Sequence, residues 1–346
     1  MTMTLPSILT EVDELVRAEI RAALDRVDER TRLTAGYQLG YWDADGTPTA
    51  RGGGKGLRPA LVLLSARAAG STVRAGLPGA AAVELVHNFS LLHDDVIDGD
   101  AERRHRPTAW AAFGVGPAIL AGDALLSLAG EVLVEAAELD GASGLRHLHA
   151  ATRRLIAGQA ADIAFESRTE VTLDECLAMA ADKTAALLSC SATLGAVLCG
   201  APPGLVDGLA AYGERLGLAF QLVDDLLGIW GEPAVTGKPV LSDLRARKKS
   251  VPVVRALTAG GPASEQLAEL YAGDGELGAA ELNLAAALIE ETGARDWTEK
   301  QADRLLTEAL AELDRLTELA PAGTTGLAEV HGELVAIARF MTGRDH

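Results

Sequence analysis

The stretch His87-Asn88-Phe89-Ser90-Leu91-Leu92-His93-Asp94-Asp95-Val96-Ile97-Asp98 decides how this chain is read. Its apolar residues recur at helical spacing, so Asp94 and Asp98, one turn apart, share a helix face with His87 and Leu91. Three carboxylates packed so closely repel one another unless a cation neutralises them. Hard carboxylate oxygens suit Mg²⁺, which keeps several waters and takes one or two carboxylates plus substrate phosphate. The plain alternative is a solvated acidic helix end. The apolar flank of Phe89, Leu91, Leu92, Val96 and Ile97 favours carboxylates that line a largely buried wall.

A second stretch, Phe220-Gln221-Leu222-Val223-Asp224-Asp225-Leu226-Leu227-Gly228, repeats the arrangement downstream. Gln221, Asp224 and Gly228 share a face, with Asp225 beside them. Were the two acidic helices to face each other, their carboxylates would oppose across metal ions. Metals there would neutralise a diphosphate as it departs.

Outward from these motifs, helical periodicity extends almost everywhere and no alternating strand stands out. The spacing predicts helices over 8–34, 58–70, 78–99, 114–139, 144–168, 173–200 and 204–230. A polar, basic loop follows over 232–250, then helices over 251–259, 263–272, 277–292, 297–318 and 324–342. No repeat, low-complexity tract or long linker divides the chain. The expectation is one all-α domain over 1–346, a bundle of long helices. Aromatic residues make up only 4% of the 346 residues, which also favours packed helices over sheets.

A formal charge of −18 excludes nucleic acid and anionic membrane as main partners. No charge-free apolar run is long enough to read as a membrane span, and the first residues lack the pattern of a signal peptide. Cys176, Cys190 and Cys199 form no CxxC pair and read as buried thiols of a reducing, cytoplasmic compartment.

The positive charge is concentrated. Of the six lysines, all but Lys300 fall in recognisable elements. Gly52-Gly53-Gly54-Lys55-Gly56-Leu57-Arg58-Pro59 sets two cations beside flexible backbone at a helix start, where N–H groups can hold phosphate. It is not a Walker A loop, which needs GxxxxGK[ST] after a strand. Arg103-Arg104 follows the first acidic motif, Lys183-Thr184 lies on a helix, and Gly237-Lys238-Pro239 leads to Arg245, Arg247, Lys248 and Lys249. Singly, each would be surface charge. With two carboxylate pairs they indicate two anion sites, one bridged by metal and one held by side chains alone.

In combination, GGKGLRP, HNFSLLHDDVID, RR, KT, FQLVDD, and GKP followed by RKKS resemble the polyprenyl synthetase family, specifically its short-chain trans-isoprenyl diphosphate synthases. The resemblance runs from about residue 36 to 260. It implies helices around a central cavity, usually as a homodimer, and condensation of isopentenyl diphosphate with an allylic diphosphate. It implies that Asp94 and Asp98 bind two Mg²⁺ and Asp224 a third. By the same resemblance Lys55, Arg58, His87 and Arg104 hold isopentenyl diphosphate. Arg103, Lys183, Thr184, Gln221, Lys238 and Lys248 serve the allylic side, with Lys183 and Lys238 joining the three aspartates as catalytic groups.

Phe89 and Ser90, five and four residues before Asp94, are the candidates for setting product length. A bulky residue at the first position alone resembles one class of geranylgeranyl diphosphate synthases, with farnesyl diphosphate the alternative product. Two departures from the family stand out. Gly228 replaces the last aspartate of the second motif, and His105 replaces the usual glycine after Arg104.

Three rival readings compete with this one. A class I terpene cyclase would need the metal motifs but not Lys55, Arg58, His87 and Arg104. A non-catalytic regulatory subunit would not need Asp94, Asp95 and Asp98 intact. A di-iron bundle is suggested by Glu84-Leu85-Val86-His87 and Glu102-Arg103-Arg104-His105, but needs those motifs on separate helices with further glutamates.

Overall fold

Where the sequence predicts a single helix over 8–34, the chain breaks and restarts. In the computed structural model, which describes residues 8–49, 54, 56–136, 138–231, 241–273, 275–319 and 326–343, α1 spans Ile8–Leu24 and α2 spans Glu29–Gln38. Asp28 caps the second helix, its side chain accepting the N–H groups of Arg30 and Thr31 that have no partner inside the helix. Helix α2 runs on past Gly36, which the sequence assigns to a loop. The Trp42 ring lies where a side chain at Gly36 would be, 1.9 Å from the position of a Cβ, so close packing rather than a turn requires glycine.

Next come α3 (Leu57–Ala68), α4 (Val73–Asp98), α5 (Ala109–Phe113), α6 (Val115–Val134), α7 (Gly141–Ser167) and α8 (Leu173–Ala180). A π-helical turn, Ala181–Ala185, joins α8 to α9 (Ala186–Leu198), and α10 covers Pro203–Trp230. Further helices follow at Ser242–Arg245, Val251–Leu257, Pro262–Ala272, Ala279–Glu291, Ala294–Leu319 and Gly326–Thr342. The all-α expectation holds.

One small exception interrupts it: β1 (Glu102–Arg103) pairs antiparallel with β2 (Arg106–Pro107). Strands of two residues carry no alternation to detect. The connecting Arg104 and His105 sit at φ 53° and 59°, the left-handed values that a two-residue hairpin turn demands at both positions. That geometry explains a glycine preference at position 105, which this chain does without.

The described residues divide into two compact units, Met1–Thr152 with Ser189–Gly213 and Glu312–Phe340, and Arg153–Leu188 with Glu214–Ala311 and Met341–His346. In the first, α4 packs on α3 and α6. Leu61, Leu63, Leu64, Val83, Leu85, Leu92, Leu125 and Leu133 are almost wholly removed from water there. Helix α6 is long and apolar enough to cross a bilayer. Its Ala118, Ala121, Leu125 and Leu128 are nevertheless buried within the protein, and Asp123 and Glu131 lie exposed along it.

In the second unit α10 contributes to two apolar clusters. Leu222 and Val223 join Phe165, Cys176, Val251, Val254 and Ala302, whereas Ile229 joins Leu244, Val253, Leu267, Leu282 and Ile289. Those contacts anchor the helix on either side of Asp224. At roughly 1.5–3 kcal/mol for each fully buried aliphatic side chain, they fix its rotation far more firmly than the polar residues between them.

Candidate active site

In the first unit the acidic motif occupies the end of α4. Asp94 is half-buried, Asp95 buried and Asp98 exposed, and the helix stops at Asp98 with Gly99 left-handed at φ 69°. The buried wall expected from the sequence therefore holds for Asp95 but not for Asp98 and Ile97, which face water. The last turn carries no basic residue. Carboxylates gathered at the negative pole of a helix dipole cost stability, so the arrangement suits a cation.

Asp95 is committed elsewhere: its Oδ1 accepts from Arg103 Nε and Nη2, both at 2.7 Å. Burial works against the Arg103 charge, but Asp95, Asp100 and Asp94 together raise its pKa. Asp94 and Asp98, one turn apart, are the two outer carboxylates of the motif. Among the described residues no three His, Cys, Asp or Glu side chains gather closely enough to hold an ion alone. Mg²⁺ does not require that, since one or two carboxylates suffice when phosphate and water complete the shell. The donor set fits it.

Beside this motif lies a cationic cluster. Arg58 Nη1 donates to His87 Nε2 at 3.3 Å, so the proton of His87 resides on Nδ1. Burial, with Arg58, Arg104 and Arg103 around it, holds the His87 imidazole well below its usual pKa and therefore neutral. Burial lowers the Arg58 pKa; Glu84 opposes that shift and Arg104 adds to it. Arg58 Nε is shielded from water and has no hydrogen-bond partner. The Arg104 guanidinium lies against Gly54. Lys55 falls outside the described residues. Glu84, weighed from sequence only as an iron ligand, instead stands among guanidinium groups and accepts from Asn88 Nδ2 at 2.9 Å.

Phe89 is buried, its ring edge-on to His93 at 4.8 Å between centroids. Ser90 is also buried and donates its hydroxyl to the His87 carbonyl at 2.8 Å.

In the second unit the π-helical turn carries Lys183 and Thr184. Lys183 forms an ion pair with Asp162 of α7. Thr184 Oγ1 donates to Gln221 Oε1, Gln221 Nε2 donates to Asp225 Oδ1 at 2.7 Å, and Val251 N–H donates to Asp225 Oδ2 at 2.9 Å. This chain joins two of the motifs that the sequence singles out, KT and FQLVDD, to the start of helix Val251–Leu257. Asp224 is exposed and Asp225 buried. Burial, then the charges of Asp243 and Asp224, push the Asp225 carboxyl up to about 7, against the lowering effect of its two hydrogen bonds.

Lys248 is half-buried, and its N–H donates to the Asp243 carbonyl. Lys249 is spent on structure, its ammonium donating to the carbonyls of Phe165 and Arg168. Lys238 lies outside the described residues. Sequence reasoning passed over Asp243 altogether. The only signal for it was an aspartate in the basic loop, with Gly228 standing where the first motif has Asp98.

A family model described as polyprenyl synthetase matches residues 47–288. The chain belongs to the polyprenyl synthetase family. A (2E,6E)-farnesyl diphosphate synthase of Mycobacterium tuberculosis is 51% identical over 90% of this chain and 88% of its own length. A geranylgeranyl diphosphate synthase of the same organism is 45% identical over 87% of each. The crystal structure of a polyprenyl synthetase from Streptomyces coelicolor superposes with a TM-score of 0.90 at 47% identity, over 98% of this chain and 99% of that one. A geranylgeranyl pyrophosphate synthase from Corynebacterium glutamicum, solved with isoprenyl diphosphate and magnesium, gives 0.80 at 29% identity over 99% of both chains. This polyprenyl synthetase therefore has the all-α isoprenoid synthase fold and is a short-chain prenyltransferase, as its motifs imply.

Proposed function

We propose that the chain joins isopentenyl diphosphate to an allylic diphosphate, head to tail and trans, and that geranylgeranyl diphosphate is its main product. The observation that carries the reading is the Arg58–His87–Arg104 cluster. A shielded guanidinium with an unpartnered Nε, beside a neutral imidazole and a second guanidinium, has the chemistry of an anion site that works without metal. Such a site is what the non-ionising diphosphate requires, because its C–O bond must survive.

Lys55 joins this group. Asp94, Asp98 and Asp224 would hold about three Mg²⁺, which when bound would neutralise the departing diphosphate. Arg103, Lys183, Thr184, Gln221, Lys238 and Lys248 orient the allylic partner. Its C–O bond breaks with the electron pair leaving on diphosphate. The isopentenyl double bond then attacks the allylic cation, and the adduct loses a proton to the released pyrophosphate. Water must be kept out, since it would trap the cation.

Phe89, with small Ser90 beside it, limits chain growth at the length of the geranylgeranyl group. Relatives named for a farnesyl product (51% identical) and for a geranylgeranyl product (45%) both match, so the choice of product here rests on these two positions. The chain works as one domain over 1–346, in the cytoplasm, as a homodimer. Val115, Ile119 and Leu120 support the last point, because all three are exposed along α6.

Asp94→Ala tests the metal assignment. Loss of one strong electrostatic stabiliser costs about 10²–10³-fold in turnover. Near-normal turnover at saturating substrate would remove Asp94 from the metal site.

A further inference from the structure

Among the described residues only the turn Ala181–Ala185 is π-helical, and it carries Lys183 and Thr184. Such a turn wedges an extra residue into a helix, so the elements packed on it must make room for the displaced backbone. Two glycines of the second unit make that room. A Cβ at Gly158 of α7 would stand 2.2 Å from Lys183 N, 2.6 Å from Lys183 Cα and 2.8 Å from the Asp182 carbonyl carbon. A Cβ at Gly217 of α10 would stand 2.5 Å from Ala185 Cα and 2.8 Å from Ala185 Cβ. These atoms are main chain, or the Cβ fixed to it, so no change of rotamer relieves either overlap. The turn itself would have to move.

Each glycine is the middle of a stripe that meets the turn at successive points. On α7, Arg154, Gly158 and Asp162 follow one another by a helical turn and share a face. Arg154 Nε donates to Asp182 Oδ1 at 2.7 Å, Gly158 meets the backbone at Lys183, and Asp162 pairs with the Lys183 ammonium. On α10, Glu214, Gly217 and Gln221 share a face in the same way. Glu214 accepts from Arg154 Nη2 at 2.7 Å and Nη1 at 3.2 Å, Gly217 meets Ala185, and Gln221 accepts from Thr184 Oγ1. The Arg154 guanidinium thus ties α7, α10 and the turn together, a task that its planar fork of donors suits and a single ammonium does not. An ammonium has three donors, so the pair with Asp162 leaves Lys183 with capacity for a phosphate oxygen.

We infer that Arg154, Gly158 and Gly217 are positioning residues for the allylic diphosphate: they clasp the π-helical turn and so fix where Lys183 and Thr184 meet that substrate. The inference rests on the reading above that those two residues serve the allylic side. None of the three touches the substrate. They act through the backbone of the turn, and the residues assigned to isopentenyl diphosphate lie on other elements.

The test is steady-state kinetics of the full chain with Mg²⁺ and each substrate varied in turn, beside calorimetric titration with geranyl S-thiolodiphosphate, an allylic probe that does not ionise. Misplacing a binding group by about 1 Å costs up to about 10²-fold, so Gly158→Ala and Gly217→Ala should each raise the allylic Michaelis constant and the probe's dissociation constant about 10- to 100-fold. The Michaelis constant for isopentenyl diphosphate should hold. Arg154→Gln should shift the constants in the same direction, with Arg154→Lys recovering part of the loss. Circular dichroism melts check that each variant is folded. Should the glycine variants fail to fold, Arg154→Gln decides, since its side chain is partly exposed. Equal shifts for the two substrates, or wild-type allylic constants in the folded variants, would overturn the inference and leave the assignment of Lys183 and Thr184 standing. A wild-type chain that neither binds the probe nor condenses any allylic diphosphate would instead bring down the functional reading, and this inference with it.

Discussion

Replacing Arg58 by alanine should separate the two substrates. The Arg58 guanidinium has one donor on His87 and one shielded Nε with no partner, so it has unused capacity for phosphate oxygens. A hydrogen bond to a charged group contributes about 1.5–3 kcal/mol. Losing one should raise the Michaelis constant for isopentenyl diphosphate about 10- to 150-fold. The constant for the allylic partner should change little. Stability should behave differently from what a structural role would give. Arg58 is desolvated and lies close to both Glu84 and Arg104, so its removal relieves burial and repulsion but forfeits one attraction, and the melting temperature should change little. Steady-state kinetics with each substrate varied in turn, beside thermal melts, checks both parts. Equal effects on the two constants would merge the two sites. A melt lowered by many degrees with unchanged kinetics would make Arg58 a structural residue.

Two further outcomes follow from the structure. The Asp225 carboxyl, at about 7 when folded against 3.8 ordinarily, binds more protons in the native state than in the unfolded chain between those values. Its contribution therefore favours folding at low pH and is lost as pH rises from about 4 through about 7, by on the order of 4 kcal/mol. In metal-free protein with chelator, Asp225→Asn should flatten that slope in denaturant titrations at pH 5 and 8. An unchanged slope would show that the proton resides elsewhere. For product length, Phe89→Ala should lengthen the prenyl chain and Ser90→Phe should shorten it, as read by chromatography of dephosphorylated products. Identical product profiles in both variants would place the limit elsewhere, for example on the segment Thr108–Leu125.

The all-α fold and most helix positions were legible because each helix buries one stripe, and that stripe recurs at helical spacing. What escaped depends on contacts remote in sequence. Gly36 reads as a helix breaker, yet it lies inside α2 under the Trp42 ring. The π-helical turn under Lys183 and Thr184 leaves no mark on periodicity. In the site, residue types and spacing pointed to Asp94, Arg58, His87, Gln221 and Asp224 as candidates. They did not show that Asp95 would be tied to Arg103, or Asp225 to Val251 N–H, since each bond joins different segments. Asp225 was expected merely to point off the metal face. Its burial makes it a hub linking α10 to helix Val251–Leu257. Asp243 was invisible for the same reason: only folding brings it against Gly228.

The most direct measurement is turnover by the purified chain with isopentenyl diphosphate, Mg²⁺ and each allylic diphosphate in turn, with the products sized. The account predicts condensation that stops when Mg²⁺ is chelated and yields mainly geranylgeranyl diphosphate. Pyrophosphate released from the allylic substrate without consumption of isopentenyl diphosphate, or no elongated product with any allylic partner, would contradict it.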